Sequence, residues 1–342
     1  MDCREALGAV VTGRTLTREE ARTVMTSVMA GEATPAQLGA FLAALRVRGE
    51  TVDEIAGFAL GMREAGVPVR LDAPAVDIVG TGGSQTDPFN ISTVASIVVA
   101  GAGARVAKHG NRAASGKCGS ADVLEALGVR IDLGPDEIAR CVRDVGIAFM
   151  FAPRFHPAMR HAGPVRREIG IRTFFNLLGP LANPAGVRTI VIGVPTPELG
   201  ERLARVLAEL GIERGLVVHG HDGLDEISPT GPSRTWEVRA GSVHEGTIDP
   251  AALGIRLASV SEILSGDPPA NAATARAILA GEQGARRDTV VLNAGAALVV
   301  AGVAGDVREG MALAARSIDS GAAQATLARW AETSQRLGAA GA

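Results

Sequence analysis

The chain has 342 residues, 46% of them hydrophobic and 21% charged, a balance that predicts packed domains, two of ordinary size or one large, and excludes disorder. A formal net charge of −3 argues against a general nucleic-acid or membrane-surface binder. Cys3, Cys118 and Cys141 are too few and too scattered for a disulfide framework or a cysteine zinc site, and the start MDCREALGAVVTGRTLTREEA places acidic residues where a secretory signal needs a basic one, so the expected compartment is the cytoplasm, with no membrane partner.

The first seventy residues read as helices only. Thr17-Arg18-Glu19-Glu20 is a capping box ahead of a helical pattern over Ala21 to Met29. Thr34 and Pro35 open a second helix that Gly49 stops, and Thr51, with Glu54 three residues on, opens a third that runs to Gly66. Residues 1–72 are too few for a self-sufficient core, which predicts that they pack on another part of the chain or on a second copy.

From Ala75 short β-branched runs alternate with helical segments: VDIVG, ISTVASIVVAGAG, RVAKHG, SADVLEALG, VRIDL, GPDEIARCVRDVG, IAFMF, TIVIGV, PELGERLARVLAELG and GLVVHG. This alternation predicts an α/β domain over 73–342 with a mostly parallel central sheet covered by helices. The Pro-, Gly- and Arg-rich segment HPAMRHAGPVRREIGIRTFFNLLGPLANPAG reads as a crossing between the two domains, and the tail from Asn271 reads as helix.

Four segments carry chemistry. Gly80, Thr81, Gly82 and Gly83 form a turn after VDIVG, and Asn90, Ser92 and Thr93 open the next helix. Backbone N–H groups of such a turn and a helix N-terminus make an anion site, most simply for phosphate. The only two lysines, Lys108 and Lys117, lie with His109, Asn111, Arg112, Ser115, Ser120 and Asp122 in a second strand–loop–helix segment, so two polar loops at neighbouring strand ends suggest a ligand with two anionic ends. Asp222, Asp225 and Glu226 in HGHDGLDEIS are carboxylates that fit beside a phosphate if magnesium lies between; zinc held by His219, His221 and Asp222 is the alternative. Arg166 or Arg167 offers a planar fork for a carboxylate, and Asn176, Gly179, Pro180 and Asn183 sit in a turn that can wall a flat apolar pocket.

In order and spacing, GTGG…FNIST, VAKHGNR, GSADVLEALG, FAPRFHPAMRH, VRREIGIRTFFNLLGPLANP and HGHDGLDEIS resemble the anthranilate phosphoribosyltransferases, and with GEATPAQLGAFLAALRVRGET the likeness spans nearly the whole chain. The resemblance implies the nucleoside-phosphorylase-like architecture of this transferase class. A helical domain (1–72, with a contribution from 164–186) would form a homodimer, and the larger domain would bind phosphoribosyl pyrophosphate with Mg²⁺. It implies phosphoribosyl pyrophosphate contacts from Gly80, Thr81, Gly82, Gly83, Asn90, Ser92, Thr93, Lys108 and Ser120. It implies anthranilate contacts from Gly80, His109, Asn111, His156, Arg166 and Pro180, and metal contacts from Ser92, Asp225 and Glu226, with no general base assigned. The implied reaction is attack of the anthranilate amine on the ribose anomeric carbon, in tryptophan biosynthesis.

One loop departs from the family pattern. Ser84, Gln85 and Pro88 stand where the family usually has Asp, Gly and Thr, at unchanged loop length, and Asp87 is the candidate substitute for the missing carboxylate. Three other readings stay open. They are a transferase acting on another aromatic acid, a nucleoside phosphorylase on the same architecture, and a nucleic-acid-binding relative, which the net charge and the intact acidic pair disfavour.

Overall fold

The computed structural model describes residues 1–84, 86–113 and 116–340. Four helices come first: α1 (Cys3–Val11), α2 (Arg18–Ala30), α3 (Pro35–Arg48) and α4 (Val52–Glu64). Thr17, Thr34 and Thr51 each accept the amide three residues on, and Glu20, Gln37 and Glu54 return the bond. Each cap contributes about 1 kcal/mol. Glu54 is also a tertiary anchor. It has no solvent exposure, accepts the Leu16 N–H at 2.8 Å and pairs with Arg48.

The alternating part runs β1 (Val76–Gly80), α5 (Ile91–Gly101), β2 (Val106–Gly110), α6 (Ser120–Ala126), α7 (Pro135–Val145) and β3 (Ile147–Phe151). The crossing segment holds α8 (Ala152–Phe155), α9 (Met159–Ile169) and α10 (Phe175–Leu181). Then come β4 (Thr189–Gly193), α11 (Pro197–Glu209), β5 (Arg214–Gly220), β6 (Ser233–Arg239) and β7 (Ser242–Ile248). The chain closes with α12 (Pro268–Leu279), α13 (Ala285–Val300), α14 (Val307–Asp319) and α15 (Ala322–Ala340).

The sheet order is β3-β2-β1-β4-β5-β6-β7, with β1 to β5 parallel and β5-β6-β7 antiparallel. Two differences from the sequence reading stand out. VRIDL is not a strand: Val129, Ile131 and Leu133 alternate into the core, but the Arg130 N–H donates to Ser334 Oγ at 2.9 Å on α15 rather than to a neighbouring strand. The β6–β7 hairpin is an addition that the βα alternation does not foresee.

Two cores lie on either side of the sheet. One packs Val76, Ile78, Val106 and Ile147 against α5, α7, α13 and α15. The other packs Ile190, Ile192, Val217, Trp236 and Val238 against α11 and the N-terminal helices, with Ala162 and Val165 of α9 in the same cluster. Phe58 stacks on Phe174 at 4.2 Å between ring centroids, and Phe41 meets both rings edge-on. Full burial of such side chains contributes about 1.5–3 kcal/mol apiece, so the crossing segment is anchored to the helical bundle. Among the described residues no helix is long and apolar enough to cross a membrane.

Candidate active site

The sheet order reverses direction between β1 and β4, and in open α/β sheets the crevice at such a point, beyond the carboxyl ends of the strands, takes the ligand. The GTGG turn follows β1, the Lys-bearing strand β2 lies on one side, and the acidic turn after β5 comes from the other. Gly82 (φ +67°) and Gly83 (φ +91°) are left-handed, which glycine adopts at no steric cost. The Thr81 N–H donates to Gly193 O at 2.9 Å, and the Gly82 N–H donates to Asp225 Oδ2 at 2.9 Å. Asp225 presses so closely on β1 and β4 that a Cβ at Gly80 would overlap its carboxylate and one at Gly193 would overlap its carbonyl. Glycine at the paired positions 80 and 193 therefore makes room for the acidic turn.

Asn90 stands at the N-cap of α5 without capping it. Its Nδ2 donates to Cys118 O at 3.0 Å and its Oδ1 accepts from Asn271 Nδ2 at 3.0 Å, tying the helix start to the second loop. Ser92 Oγ accepts from Lys108 Nζ at 3.3 Å, and Ser92 lies near enough to Glu226 to favour its charged form. Thr93 Oγ1 is buried without a partner among the described residues. Lys108 is buried, and its ammonium also donates to Ile78 O. Lys108 therefore lies under the turn, between Asp77 and Glu226, and its charge is felt through Ser92 and Glu226. Burial lowers its pKa.

Asp225 and Glu226 are half-buried by surface, with their carboxylates enclosed by protein. Enclosure raises the Asp225 pKa, and enclosure with Asp225 alongside pushes Glu226 up to about 8. An enclosed acidic pair with a hydroxyl beside it and one shared lysine is short of positive charge. An all-oxygen donor set of this kind fits Mg²⁺, which keeps several waters and substrate oxygens. Among the described residues no group of three His, Cys, Asp or Glu side chains forms a metal cage. The zinc set is engaged elsewhere: Asp222 Oδ2 accepts from Ser228 Oγ and Thr230 Oγ1, both at 2.8 Å, and His219 Nδ1 donates to Val194 O at 3.0 Å.

His109 and His156 are buried together, with ring centroids 5.1 Å apart. A carbonyl only accepts, so the bonds from His109 Nδ1 to Gly179 O and from His156 Nε2 to Ala182 O, both 2.9 Å, place the proton on those nitrogens. The other two nitrogens, His109 Nε2 and His156 Nδ1, have no partner among the described residues. Burial holds both rings neutral, His109 down to about 3. Pro180 is buried in α10 between the two carbonyls.

Arg166 is half-buried over the Phe175 ring, 5.0 Å from its centroid, with no carboxylate partner among the described residues. Asn111 is exposed, and its Oδ1 accepts the Arg112 N–H at 2.8 Å. Ser120 opens α6 and donates from Oγ to Asn111 O at 3.2 Å. Arg112 is committed to Asp122 and Glu125. In the departing loop the Thr86 N–H donates to Ser84 Oγ at 3.2 Å, Pro88 bridges Leu264, and the Asp87 carboxylate lies against Gly116 of the second loop. Gln85 and Ser115 lie outside the described residues.

Two site residues escape the sequence reading. Arg172 Nη2 donates to Gly82 O at 2.9 Å and packs on Gly83, although nothing local distinguishes it from its arginine neighbours. Asp77 does carry a signal, because a carboxylate inside an apolar strand needs a buried partner. It has no solvent exposure, burial pushes it up to about 6, and the Lys108 charge opposes that rise.

Residues 72–324 match the model of a glycosyl transferase family α/β domain, and residues 4–66 match that family's helical bundle domain. The chain is 54% identical to the anthranilate phosphoribosyltransferase of Pelotomaculum thermopropionicum, covering 98% of this chain and 97% of that one. It is 55% identical to the Thermomicrobium roseum enzyme over 94% of each. Among solved structures, anthranilate phosphoribosyltransferase from Thermus thermophilus superposes with a TM-score of 0.92 at 44% identity, covering 96% of this chain and 99% of that one. The Saccharomyces cerevisiae enzyme in complex with PRPP and Mg superposes with a TM-score of 0.90 at 27% identity over 98% of each chain.

Proposed function

Because the chain belongs to the anthranilate phosphoribosyltransferase family, we infer that it transfers the phosphoribosyl group of phosphoribosyl pyrophosphate to the amine of anthranilate. Pyrophosphate is released and N-(5-phosphoribosyl)anthranilate is formed, a step of tryptophan biosynthesis. The observation that carries the residue assignment is the acidic turn pinned beneath the glycine turn by the bond from Gly82 N–H to Asp225.

An aryl amine is a weak nucleophile, so departure of pyrophosphate needs the most help. The Thr81 and Gly82 N–H groups are engaged with Gly193 O and Asp225, so the turn meets the leaving group through its left-handed Gly82–Gly83 backbone, with Arg172 beside it. Ser92, Asp225 and Glu226 hold Mg²⁺, which when bound offsets charge on the pyrophosphate. Lys108 keeps Ser92 and Glu226 in place from below. Arg166 takes the anthranilate carboxylate, and Asn111, His109, His156 and Pro180 wall its ring, so that the amine is held toward the anomeric carbon. Positioning and stabilisation of the leaving group require no general base among these residues.

The helical domain pairs two copies. Val11 and Val47, in the last turns of α1 and α3, are 64% and 90% exposed, and Ile171, two residues past α9, is 48% exposed; a homodimer through that bundle would cover such side chains. The enzyme works in the cytoplasm. The direct test is loss of anthranilate fluorescence on adding phosphoribosyl pyrophosphate and Mg²⁺, alongside a no-metal control and an Asp225→Asn, Glu226→Gln variant. Loss that needs the metal and fails in the variant is expected. A folded dimer that binds phosphoribosyl pyrophosphate yet leaves the fluorescence unchanged has a different aromatic acceptor.

A further inference from the structure

Asp77 is the second residue of β1, and both of its oxygens are used. Oδ1 accepts the His109 backbone N–H at 3.3 Å, and Oδ2 accepts from Asn183 Nδ2 at 2.8 Å. Asn183 is buried in the turn after α10 and is saturated as well. Its Nδ2 also donates to Ala107 O at 2.9 Å, and its Oδ1 accepts the Ala185 N–H at 2.8 Å. The neighbouring Pro184 O accepts the Val69 N–H at 3.0 Å, from the strap that joins the helical bundle to the sheet.

These bonds fall on one side of the crevice. β1 and β2 are paired here through a single register contact, Val76 with Val106, whereas β1 pairs with β4 along its whole length. Beyond Val76 and Val106 the recorded β1–β2 ladder stops, and the bonds of Asp77 to the His109 N–H and to Asn183 join the two strands there. The Asp77–Asn183 bridge fixes the strand that carries His109 to the turn whose Gly179 and Ala182 carbonyls hold both histidine rings. Neither side chain touches Gly80 to Gly83, Asp225 or Arg172 through any hydrogen bond among the described residues.

We propose that Asp77 and Asn183 are positioning residues that set the acceptor side of the crevice, locking His109, His156 and the 179–185 turn in one register, with Asn183 bonded to no group of the pyrophosphate side. The proposal rests on the anthranilate reading above. Both groups are buried and mutually saturated, so loss of one leaves the other unpaired and lets the turn shift. A shift there changes how the acceptor is held.

The test is steady-state kinetics on Asn183→Ala, with each substrate varied in turn at a temperature where circular dichroism shows the variant folded. The expected result is a rise of about tenfold or more in KM for anthranilate, with KM for phosphoribosyl pyrophosphate within about threefold of wild type. A purely structural role removes active enzyme, lowering kcat with both KM values unchanged; that result, or wild-type values throughout, overturns the proposal. If Asn183→Ala does not fold, Asn183→Ser decides, because a polar group stays in the turn while the short hydroxyl cannot serve Asp77, Ala107 O and the Ala185 N–H together. A folded Asn183→Ser enzyme with the same rise in anthranilate KM and KM for phosphoribosyl pyrophosphate within about threefold of wild type supports the bridge; wild-type values for both, or failure to fold here too, overturns it. Wild-type turnover separates the two claims: none from the wild type removes the anthranilate reading, while turnover with unaltered variants removes the bridge alone.

Discussion

Replacing Gly193 by alanine tests whether the acidic turn is placed by contact with the sheet. A Cβ at 193 would overlap the carbonyl group of Asp225, well inside the 3.0 Å that side-chain carbons keep from non-bonded atoms. The obstacle is backbone, so no rotamer change relieves it. Restoring an ordinary separation moves the Asp225 backbone by more than about 1 Å, enough to break its bond to the Gly82 N–H and to displace Glu226 from Ser92. A 1 Å misplacement of a catalytic constellation costs about 100-fold in rate, or about 2.7 kcal/mol. Gly80→Ala overlaps the carboxylate end of the same side chain and lies 3.3 Å from the Asp225 carbonyl oxygen, a much milder backbone contact, and is expected to cost less. Gly82→Ala meets nothing within 4 Å and serves as a control in which only the left-handed backbone is strained, by about 1 kcal/mol. Anthranilate fluorescence at saturating Mg²⁺, with the thermal midpoint of each variant, gives the comparison. A folded Gly193→Ala enzyme with wild-type kcat/KM would refute the reasoning, as would Gly80→Ala being the more damaged of the two.

Arg172→Ala removes a charged donor from Gly82 O, which is expected to raise KM for phosphoribosyl pyrophosphate about tenfold and leave KM for anthranilate unchanged; equal effects on both substrates would argue against a role in the turn. Asp87→Asn is expected to weaken magnesium-dependent binding of phosphoribosyl pyrophosphate about fivefold by calorimetry, given its place between the two anion loops; unchanged affinity removes Asp87 as the substitute carboxylate. Histidine in the unfolded chain titrates near 6.5, whereas burial keeps His109 neutral down to about 3, so only the unfolded state takes up that proton between these values. Stability is therefore full above about pH 6.5 and falls as the pH drops, by up to about 1.4 kcal/mol per pH unit for this group. Urea midpoints at pH 7 and 5.5 for wild type and His109→Phe check it, and an unchanged pH slope in the variant would count against the buried neutral ring.

Much of the architecture is written locally. Thr17, Thr34 and Thr51 announce their helices because a cap is a contact between residues three apart, and local contacts are what a linear pattern records. The same holds for the glycine turn after β1. VRIDL shows the limit: alternating burial marks an extended segment, but whether its N–H groups meet a strand or Ser334 depends on elements two hundred residues away. β7 is mostly exposed and polar, so it lacks the apolar signature of the buried parallel strands. In the site, the residue types are legible and the partners are not. Lys108 reads as a cation near phosphate, yet its ammonium is spent on Ile78 O and Ser92 beneath the turn. Arg112 reads as a donor in a polar loop and is paired with Asp122 and Glu125. Arg172 reaches Gly82 across ninety positions, and only the fold can make that choice among neighbouring arginines.

The β6–β7 hairpin bears on how the molecule behaves in a crowded solution. A parallel sheet that ended on an apolar strand such as β5 would offer a row of free N–H and C=O groups backed by apolar side chains, a template for the next chain. Here the last rung is β7, where Ser242, Glu245 and Thr247 face water and Glu245 reaches across to Arg234 at 2.6 Å. A strand added to that rim would have to dehydrate these groups, so the hairpin acts as a gatekeeper against open-ended growth of the sheet.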